Sequence, residues 1–243
     1  MTDPHLFASA AGDLRGTVTA DSLQRVLDHY QASDWRAHRA LVTGDLIQDD
    51  SAEAYERFRN LLLPLKLRTH CIPGNHDIRD LMQAVCGRPP FSYCAYEEIG
   101  DWLLVGLDSC LDGSAGGAVA AAELDRLSAI VTRSEARHIM VFLHHPPIPM
   151  GSKWLDSVGL RNGDEVLEKL RNISRMRVVT FGHVHQEYDD NYEGIRILAT
   201  PSTCRQFLPR SDDFAVDENP PAYRRITLKT DGDIDTEVVW VNA

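Results

Sequence analysis

Four short apolar runs in this chain each end on residues that can bind a metal ion. "LVTGD" closes on Asp45, "HCIPGNHD" delivers Asn75, His76 and Asp77, "MVFLHH" delivers His144 and His145, and "VVTFGHVH" delivers His183 and His185. Short continuous apolar runs bounded by glycines and polar turns read as strands buried on both faces. In open α/β sheets, ligands gather beyond the carboxyl ends of such strands. The pattern therefore asks for a fold that aligns several buried strands. It points a carboxylate, an amide and several imidazoles at one crevice.

Helical stretches separate these runs. "TADSLQRVLDHY" carries Leu23, Val26, Leu27 and Tyr30 at i, i+3, i+4 and i+7, with Thr19 or Asp21 placed to cap it. "SAEAYERFRNLLLPL" reads as helix until Pro64 interferes. "AAELDRLSAIVTR" and "DEVLEKLRN" are further helices, and "WLLVGLDS" is another buried strand. From about residue 186 the helices stop. "EYDDNYEGIRILAT" and "YRRITLKTDGDIDTEVVWV" read as hairpins, the second turning on the two residues Asp231-Gly232. Alternating strands and helices followed by hairpins predict a layered α/β fold with mixed sheets. With no repeat or linker, residues 1–243 read as one domain, and 146–163 and 201–222 as long loops near the site.

Composition narrows the function. A hydrophobic content of 43% with 25% charged residues suits a globular core. No apolar run approaches the roughly 18 residues that span a bilayer, and the N-terminus has no signal-peptide pattern. The five cysteines are scattered, without CxxC spacing, and read as reduced thiols of a cytoplasmic protein. A net charge of −11 argues against general nucleic-acid binding. It leaves a small anionic substrate open, because the local field at a site decides.

The motifs differ in specificity. Asp3-x-His5 and Gly44-Asp45 are weak alone, since polar termini and turns favour the same residues. Gly-Asn-His-Asp is far rarer by chance. Gly-His-Val-His follows a buried strand, and alternation is expected to put His183 and His185 on one side of an extended segment.

In this order, "TDPHLF", "TGDLIQD", "PGNHD", "LHHPP" and "GHVHQE" resemble the calcineurin-like metallophosphoesterases. "GSKWLDSVGLRNGDE", "LATPSTCRQFLPRSDDFAVDENPPAYR" and "LKTDGDIDTEV" extend the resemblance to the bacterial class III cyclic-nucleotide phosphodiesterases, across essentially the whole chain. The resemblance implies an α/β/β/α sandwich with mixed sheets. It implies two divalent ions, one taking Asp3, His5, Asp45 and His185, the other Asp45, Asn75, His144 and His183. Oxygen and imidazole donors without thiolate suit Fe²⁺ or Mn²⁺, with Zn²⁺ as an alternative. A bridging hydroxide would open 3′,5′-cyclic AMP to 5′-AMP. His76 would face the phosphate, stabilising transition-state charge or protonating the leaving oxygen. Substrate contacts would come from His5, Asp45, Asn75, His76 and His185. Asn162 is a further candidate, with a helix N-cap as its alternative. A homodimer is compatible with the resemblance; nucleic-acid and membrane partners are not expected.

The same centre would also serve another small diester, such as a glycerophosphodiester, or a phosphomonoester. An inactive binding scaffold fits less well, because every ligand type and His76 are present. The sequence departs from the family in two places. Relatives often carry an Asp three residues after the bridging carboxylate to orient the catalytic His; here Gln48 stands there, followed by Asp49, and Asp49, Asp77 or no residue could take that part. The family also places an apolar strand before Asp-x-His, whereas here only Met1 and Thr2 precede it. The first strand is thus expected to be truncated, with either a start annotated too late or half a metal site on a loose terminus.

The remaining residues have plainer readings. His29, His38, His70 and His138 read as structural, and His145 as a support behind the ligands. Cys204 reads as a small buried residue. Trp154 and Phe207 either pin a loop or stack on a purine, and "SDDFAVDE" reads as a solvated face.

Overall fold

A computed structural model describes residues 1–242. Its first part builds a small parallel sheet under three helices. After a short ribbon, β1 (Asp13–Leu14) with β2 (Thr17–Val18), come α1 (Thr19–Ala32), β3 (Arg39–Val42), α2 (Ala52–Leu62), β4 (Arg68–Cys71), α3 (Arg79–Cys86) and β5 (Phe91–Tyr93). The strands pair in the order β3-β4-β5. The apolar spacing of α1 places Leu23 and Leu27 in a buried cluster with Tyr55 and Phe58 of α2 and Met82 of α3. The N-cap of α1 is Val18, with no side-chain bond, so Thr19 and Asp21 lie inside the helix instead of capping it. Ser51 does cap α2, its side chain accepting from the Ala54 amide. Past Leu62 the chain tightens into a 3₁₀ turn containing Pro64, which has no N–H to continue the α ladder.

The second part builds a six-stranded mixed sheet. It comprises β6 (Tyr96–Ile99), β7 (Trp102–Gly106), α4 (Ala121–Arg133), β8 (His138–Phe142), the short α5 (Lys153–Asp156), α6 (Gly163–Arg171), β9 (Met176–Phe181), β10 (Tyr188–Tyr192) and β11 (Ile195–Ala199). The strand order is β10-β11-β9-β8-β7-β6. β7, β8, β9 and β11 run parallel, with antiparallel edges. Their period-two alternation sorts the core. Leu103, Val105, Ile139, Val141, Val179 and Ile197 face α4 and α6. Trp102, Leu104, Met140, Phe142, Val178 and Leu198 face the other way, with Ile72 and Leu41 of the small sheet. Two sheets packed face to face, each with helices outside, form the expected α/β/β/α sandwich.

A small ribbon, β12 (Gln206–Phe207) with β13 (Val216–Asp217), lies within the long C-terminal loop, and β14 (Ala222–Leu228) pairs antiparallel with β15 (Ile234–Trp240). The last hairpin does not close on two residues. Lys229 and Asp233 still bond, Gly232 N donates to the Lys229 carbonyl, and Gly232 takes φ +97. That makes a three-residue loop with its glycine in the left-handed position.

The first residues are not loose. Asp3 N donates to Gly44 O, His5 N to Asp45 O, Leu6 N to Leu46 O, and Thr43 N to Met1 O. Residues 1–6 thus lie alongside β3 and the turn that follows it, joined by a parallel bridge at Leu6 and Ile47. Asp3 and Leu6 have no exposed surface.

Candidate metal centre

The sandwich brings all seven expected ligands to the carboxyl ends of its strands. Asp45 lies three residues beyond β3, Asn75 four beyond β4, His144 two beyond β8, and His183 and His185 follow β9. Asp3 and His5 reach the same place through the bonds that hold residues 1–6 against residues 41–47.

The glycines of these motifs are there for room. A Cβ on Gly74 would sit 2.1 Å from Asp45 Oδ1, and one on Gly182 2.0 Å from Thr2 Oγ1 and 2.8 Å from Asp3 Oδ2. Backbone conformation does the rest. Asp3, His5, Asp45, His183 and His185 all take positive φ, between 47° and 67°. Non-glycine residues in this region cost about 1–3 kcal/mol each and cluster where geometry serves a site. His183 and His185 therefore do not share a side of an extended segment. They sit in a coiled turn in which Val184 N donates to Gly182 O, and they go to different neighbours.

One group gathers at Asp3. His185 Nε2 lies 3.4 Å from Asp3 Oδ1 and 3.1 Å from His5 Nε2, which is 3.7 Å from Asp45 Oδ2. The other gathers at Asn75, whose Oδ1 lies 2.9 Å from His183 Nδ1 and 3.2 Å from His144 Nε2. His144 Nε2 is in turn 3.5 Å from Asp45 Oδ2. Asp45 is the residue common to both.

The supporting bonds fix which nitrogens face inward. His144 Nδ1 donates to the Thr43 carbonyl at 2.7 Å, and His185 Nδ1 to the Arg205 carbonyl at 2.6 Å. With Nδ1 engaged, each ring turns Nε2 into the crevice. The His185 ring also stacks on Phe207, centroids 4.0 Å apart and planes 9° apart. Thr2 Oγ1 donates to Asp3 Oδ2 at 2.5 Å, and the His183 amide donates to both Asp3 oxygens. The Ser202 hydroxyl donates to the Asp3 carbonyl. Thr2, Ser202, Arg205 and the stacking role of Phe207 carry no sequence signal of their own, because each works through a backbone group or a fold-dependent contact.

Carboxylates and imidazoles face one another in the crevice. Burial alone would raise the Asp45 carboxyl, but facing His144 outweighs it and holds it well below the usual range. Burial is likewise outweighed at Asp3, by His185. Burial pushes His5 down to about 4 and His183 well down. For His144 burial is overcome by Asp45, raising it to about 9. The ring nitrogens His5 Nδ1 and His183 Nε2 are buried without hydrogen-bond partners. Two ionised carboxylates, an amide oxygen and imidazole nitrogens converge, with no lysine or arginine paired to the carboxylates. The donor set fits divalent metal ions, and groups of His and Asp here lie close enough to hold them.

His76 borders this centre, half-buried, its ring edge-on to His5 with centroids 5.1 Å apart. Its amide donates to Asp45 Oδ1 at 2.9 Å, and its Nδ1 is 3.2 Å from Gln48 Nε2. Asp77 is committed elsewhere: it accepts from the amides of Leu46 and Gly74 and from the Tyr55 hydroxyl. His145 packs beside His144 and His183, ring centroids 4.9 and 4.8 Å away, with its ring nitrogens bonded to Ser109 Oγ and the Ala115 carbonyl, while Ser109 Oγ accepts from the amides of both His144 and His145.

Asn162 is the N-cap residue of α6, yet its side chain does not cap. It bonds the Val119 backbone in both directions and reaches Glu165. Burial pushes the Cys204 thiol up to about 12, which suits packing and not nucleophilic chemistry. Trp154 packs edge-on against Phe207 and Phe214, pinning the two long loops together. A cavity of ≈ 400 Å³ lined by Leu41, Thr43, Trp102, Met140, Arg224 and Ile226 has none of the candidate ligands in its lining. None of the five cysteines is in a disulfide. No helix among the described residues is long and apolar enough to cross a membrane.

Residues 1–187 match the calcineurin-like phosphoesterase family. The chain is 38% identical over 243 residues to a Pseudomonas aeruginosa protein described as 3′,5′-cyclic adenosine monophosphate phosphodiesterase CpdA, covering all of this chain and 89% of the relative. It is 31% identical over 238 residues to a 3′,5′-cyclic-nucleotide phosphodiesterase of Nostoc, covering 98% of this chain and 90% of the relative. In fold it matches a dimetal phosphatase from Danio rerio with a TM-score of 0.65 at 16% identity, covering 100% of this chain and 98% of the other. The chain therefore belongs to the calcineurin-like phosphoesterase family and is related to its bacterial CpdA-type cyclic-nucleotide phosphodiesterases.

Proposed function

We propose that this chain is a metal-dependent phosphodiesterase that opens 3′,5′-cyclic AMP to 5′-AMP, the whole chain acting as one domain. The observation that carries the reading is the place of Asp45, whose Oδ2 lies 3.7 Å from His5 Nε2 and 3.5 Å from His144 Nε2. One carboxylate shared by two donor groups suits a binuclear centre. Asp3, His5, Asp45 and His185 would hold one ion, and Asp45, Asn75, His144 and His183 the other. The oxygen and imidazole donors favour Fe²⁺ or Mn²⁺, with Zn²⁺ also compatible. Likeness to relatives described as acting on cyclic AMP supports the choice of substrate.

When bound, the two ions supply Lewis-acid charge to the phosphate and lower the pKa of an attacking water. Their charge exceeds that of Asp3 and Asp45, so a phosphodiester monoanion is attracted although the chain carries −11. The chain's own residues position the reaction. The Thr43 and Arg205 carbonyls lock the ring orientation of His144 and His185. Asp45 Oδ1 accepts from the His76 amide, which fixes the imidazole beside the centre, where it can reach the phosphate. His5, Asn75 and His185 complete the wall a phosphate would face.

The test is product analysis. Metal-reconstituted protein is incubated with cyclic AMP, cyclic GMP, bis(p-nitrophenyl) phosphate and a phosphomonoester, and products are separated by chromatography. Conversion of cyclic AMP to 5′-AMP is expected. Cyclic AMP left intact while another ester turns over well would overturn the substrate assignment.

A further inference from the structure

We propose that Leu208 and Phe214, with Arg15 lying over the Phe214 ring, form a ledge that takes the base of a nucleotide whose phosphate lies on the metal centre. The proposal deepens the phosphodiesterase reading above and rests on it for where the phosphate sits. Three observations carry it. The first is adjacency. Phe207 stacks on the candidate ligand His185 with centroids 4.0 Å apart, and Phe214 packs against Phe207 at 5.3 Å. An aromatic path thus leads from the centre to the surface. The second is exposure. Among the described residues four large hydrophobic side chains are exposed, and two of them, Leu208 at 43% and Phe214 at 40%, lie in this one loop. Scattered apolar side chains are ordinary on a surface, whereas a pair beside a polar centre marks a place for a ligand. The third is support. Leu208 N donates to the Ala215 carbonyl, Trp154 N to the Asp212 carbonyl and Ser152 Oγ to the Ser211 carbonyl. Those bonds tie the loop to α5. Pinning uses Trp154 and Phe207, while Leu208 and Phe214 stay open to solvent.

The chemistry of a nucleotide matches this layout. Its phosphate is an anion for the metal ions, and its base is a flat ring whose faces gain by leaving water. The fused rings of a 3′,5′-cyclic nucleotide fix the base relative to phosphorus, so a ledge held in place can meet it. Every base has a π-face, and stacking on an aromatic side chain tolerates any of them. The ledge therefore selects for the presence of a base and not for adenine over guanine. Arg15 stands exposed at the tip of the β1–β2 ribbon, its guanidinium carbon 4.4 Å from the Phe214 centroid. A planar cation on that ring shows that its face accepts a flat partner. A base takes the guanidinium's place there, and Arg15 then covers the base from the solvent side. A glycerophosphodiester has no ring to offer. The ledge thus separates substrate classes that the metal centre alone would accept alike.

The test separates base from phosphate. Metal-loaded protein is titrated by calorimetry with 5′-AMP and with ribose 5-phosphate, which needs no turnover. 5′-AMP is expected to bind about 5–100-fold more tightly, the range of one base–aromatic stack. Phe214→Ala should keep its metal content and lower the 5′-AMP affinity to that of ribose 5-phosphate, and Phe214→Tyr should restore the difference. In turnover, Phe214→Ala should raise KM for cyclic AMP and cyclic GMP by the same factor with kcat level, because contact made equally in ground and transition states acts on KM. Equal affinities in the wild type, or a preference that survives in Phe214→Ala, would overturn the proposal. So would loss of metal or of ribose 5-phosphate binding in Phe214→Ala, which would make the ring structural. A wild type that prefers 5′-AMP through Phe214 yet leaves cyclic AMP intact would support the ledge and fail the phosphodiesterase reading, so the two failures are distinguishable.

Discussion

His5 Nε2 and His185 Nε2 face each other across 3.1 Å, although 180 residues separate them in the chain. The His185 ring is fixed from behind by the Arg205 carbonyl and flanked by Phe207. Replacing His185 with Ala removes a donor outright. Affinity at the Asp3 side should fall by more than the roughly 10–100-fold typical of losing a supporting partner. Titration calorimetry with Mn²⁺ checks this, and two ions bound as tightly as in the wild type would refute the assignment.

Asp3 and Asp45 are buried and ionised with no lysine or arginine paired to them, so metal ions and folding should be coupled. Each ion held at a concentration 100 times its Kd adds about 2.7 kcal/mol. For a chain of this length a chelator should then lower Tm by roughly 5–10 °C per ion. Calorimetric scans with and without chelator read the shift. Activity should vanish with the metal and return when it is restored.

Gly182 has no space for a methyl group beside Thr2 Oγ1 and Asp3 Oδ2. Gly182→Ala must push Asp3 aside or strain the turn after β9, costing about 1–3 kcal/mol. Urea denaturation should show that loss, and elemental analysis should show fewer ions per chain. A full complement of metal in a stable Gly182→Ala protein would contradict the geometry.

His76 donates its amide to Asp45 Oδ1, and its ring lies beside His5 and Asp45. His76→Ala should retain both ions while kcat drops by about 10²–10⁴. Loss of metal in this variant would instead make His76 a ligand.

Glu97 ties two strands of the small sheet to β6 in the larger one. It bonds Arg39 at 2.7 and 2.8 Å, Arg68 at 2.6 Å and His70 at 2.7 Å. Hydrogen bonding to Arg39 is the main cause that holds its carboxyl down, at about 2 against an ordinary 4.5. A carboxyl depressed in the folded state stabilises fully above its unfolded pKa and loses that contribution as pH falls through the folded one. Glu97→Gln should therefore be less stable than the wild type at pH 7, by about 1–3 kcal/mol. The gap should close between about pH 4.5 and 2. Urea midpoints across that range test it, and a gap that persists undiminished at pH 2 would sink the assignment.

The ends of the buried strands were legible because apolar runs and the polar residues after them are local signals. Asp45, Asn75, His144, His183 and His185 could all be picked out this way, and the layered fold followed. What escaped depends on tertiary structure. β5, β6 and α3 are short, and Tyr96, Glu97 and Glu98 carry no buried-strand pattern; they pair because β4 and β7 offer edges. The left-handed backbone at Asp3, His5 and His185 leaves no compositional trace, since non-glycine residues adopt it only when their surroundings insist. The neighbour of the His76 ring is set by tertiary structure too: Gln48 Nε2 lies 3.2 Å from its Nδ1, while Asp49 and Asp77 bond elsewhere.

The order in which the donors leave the ribosome follows from where they sit. At about 5–20 residues per second, Asp3 and His5 emerge roughly 10–40 s before His185 and the Arg205 carbonyl that orients it. Through that interval the first two donors have no counterpart, and any ion they meet is held by half a coordination shell. The centre can close only once the segment through Arg205 has been made, so a filled site records that the first and last donors have met.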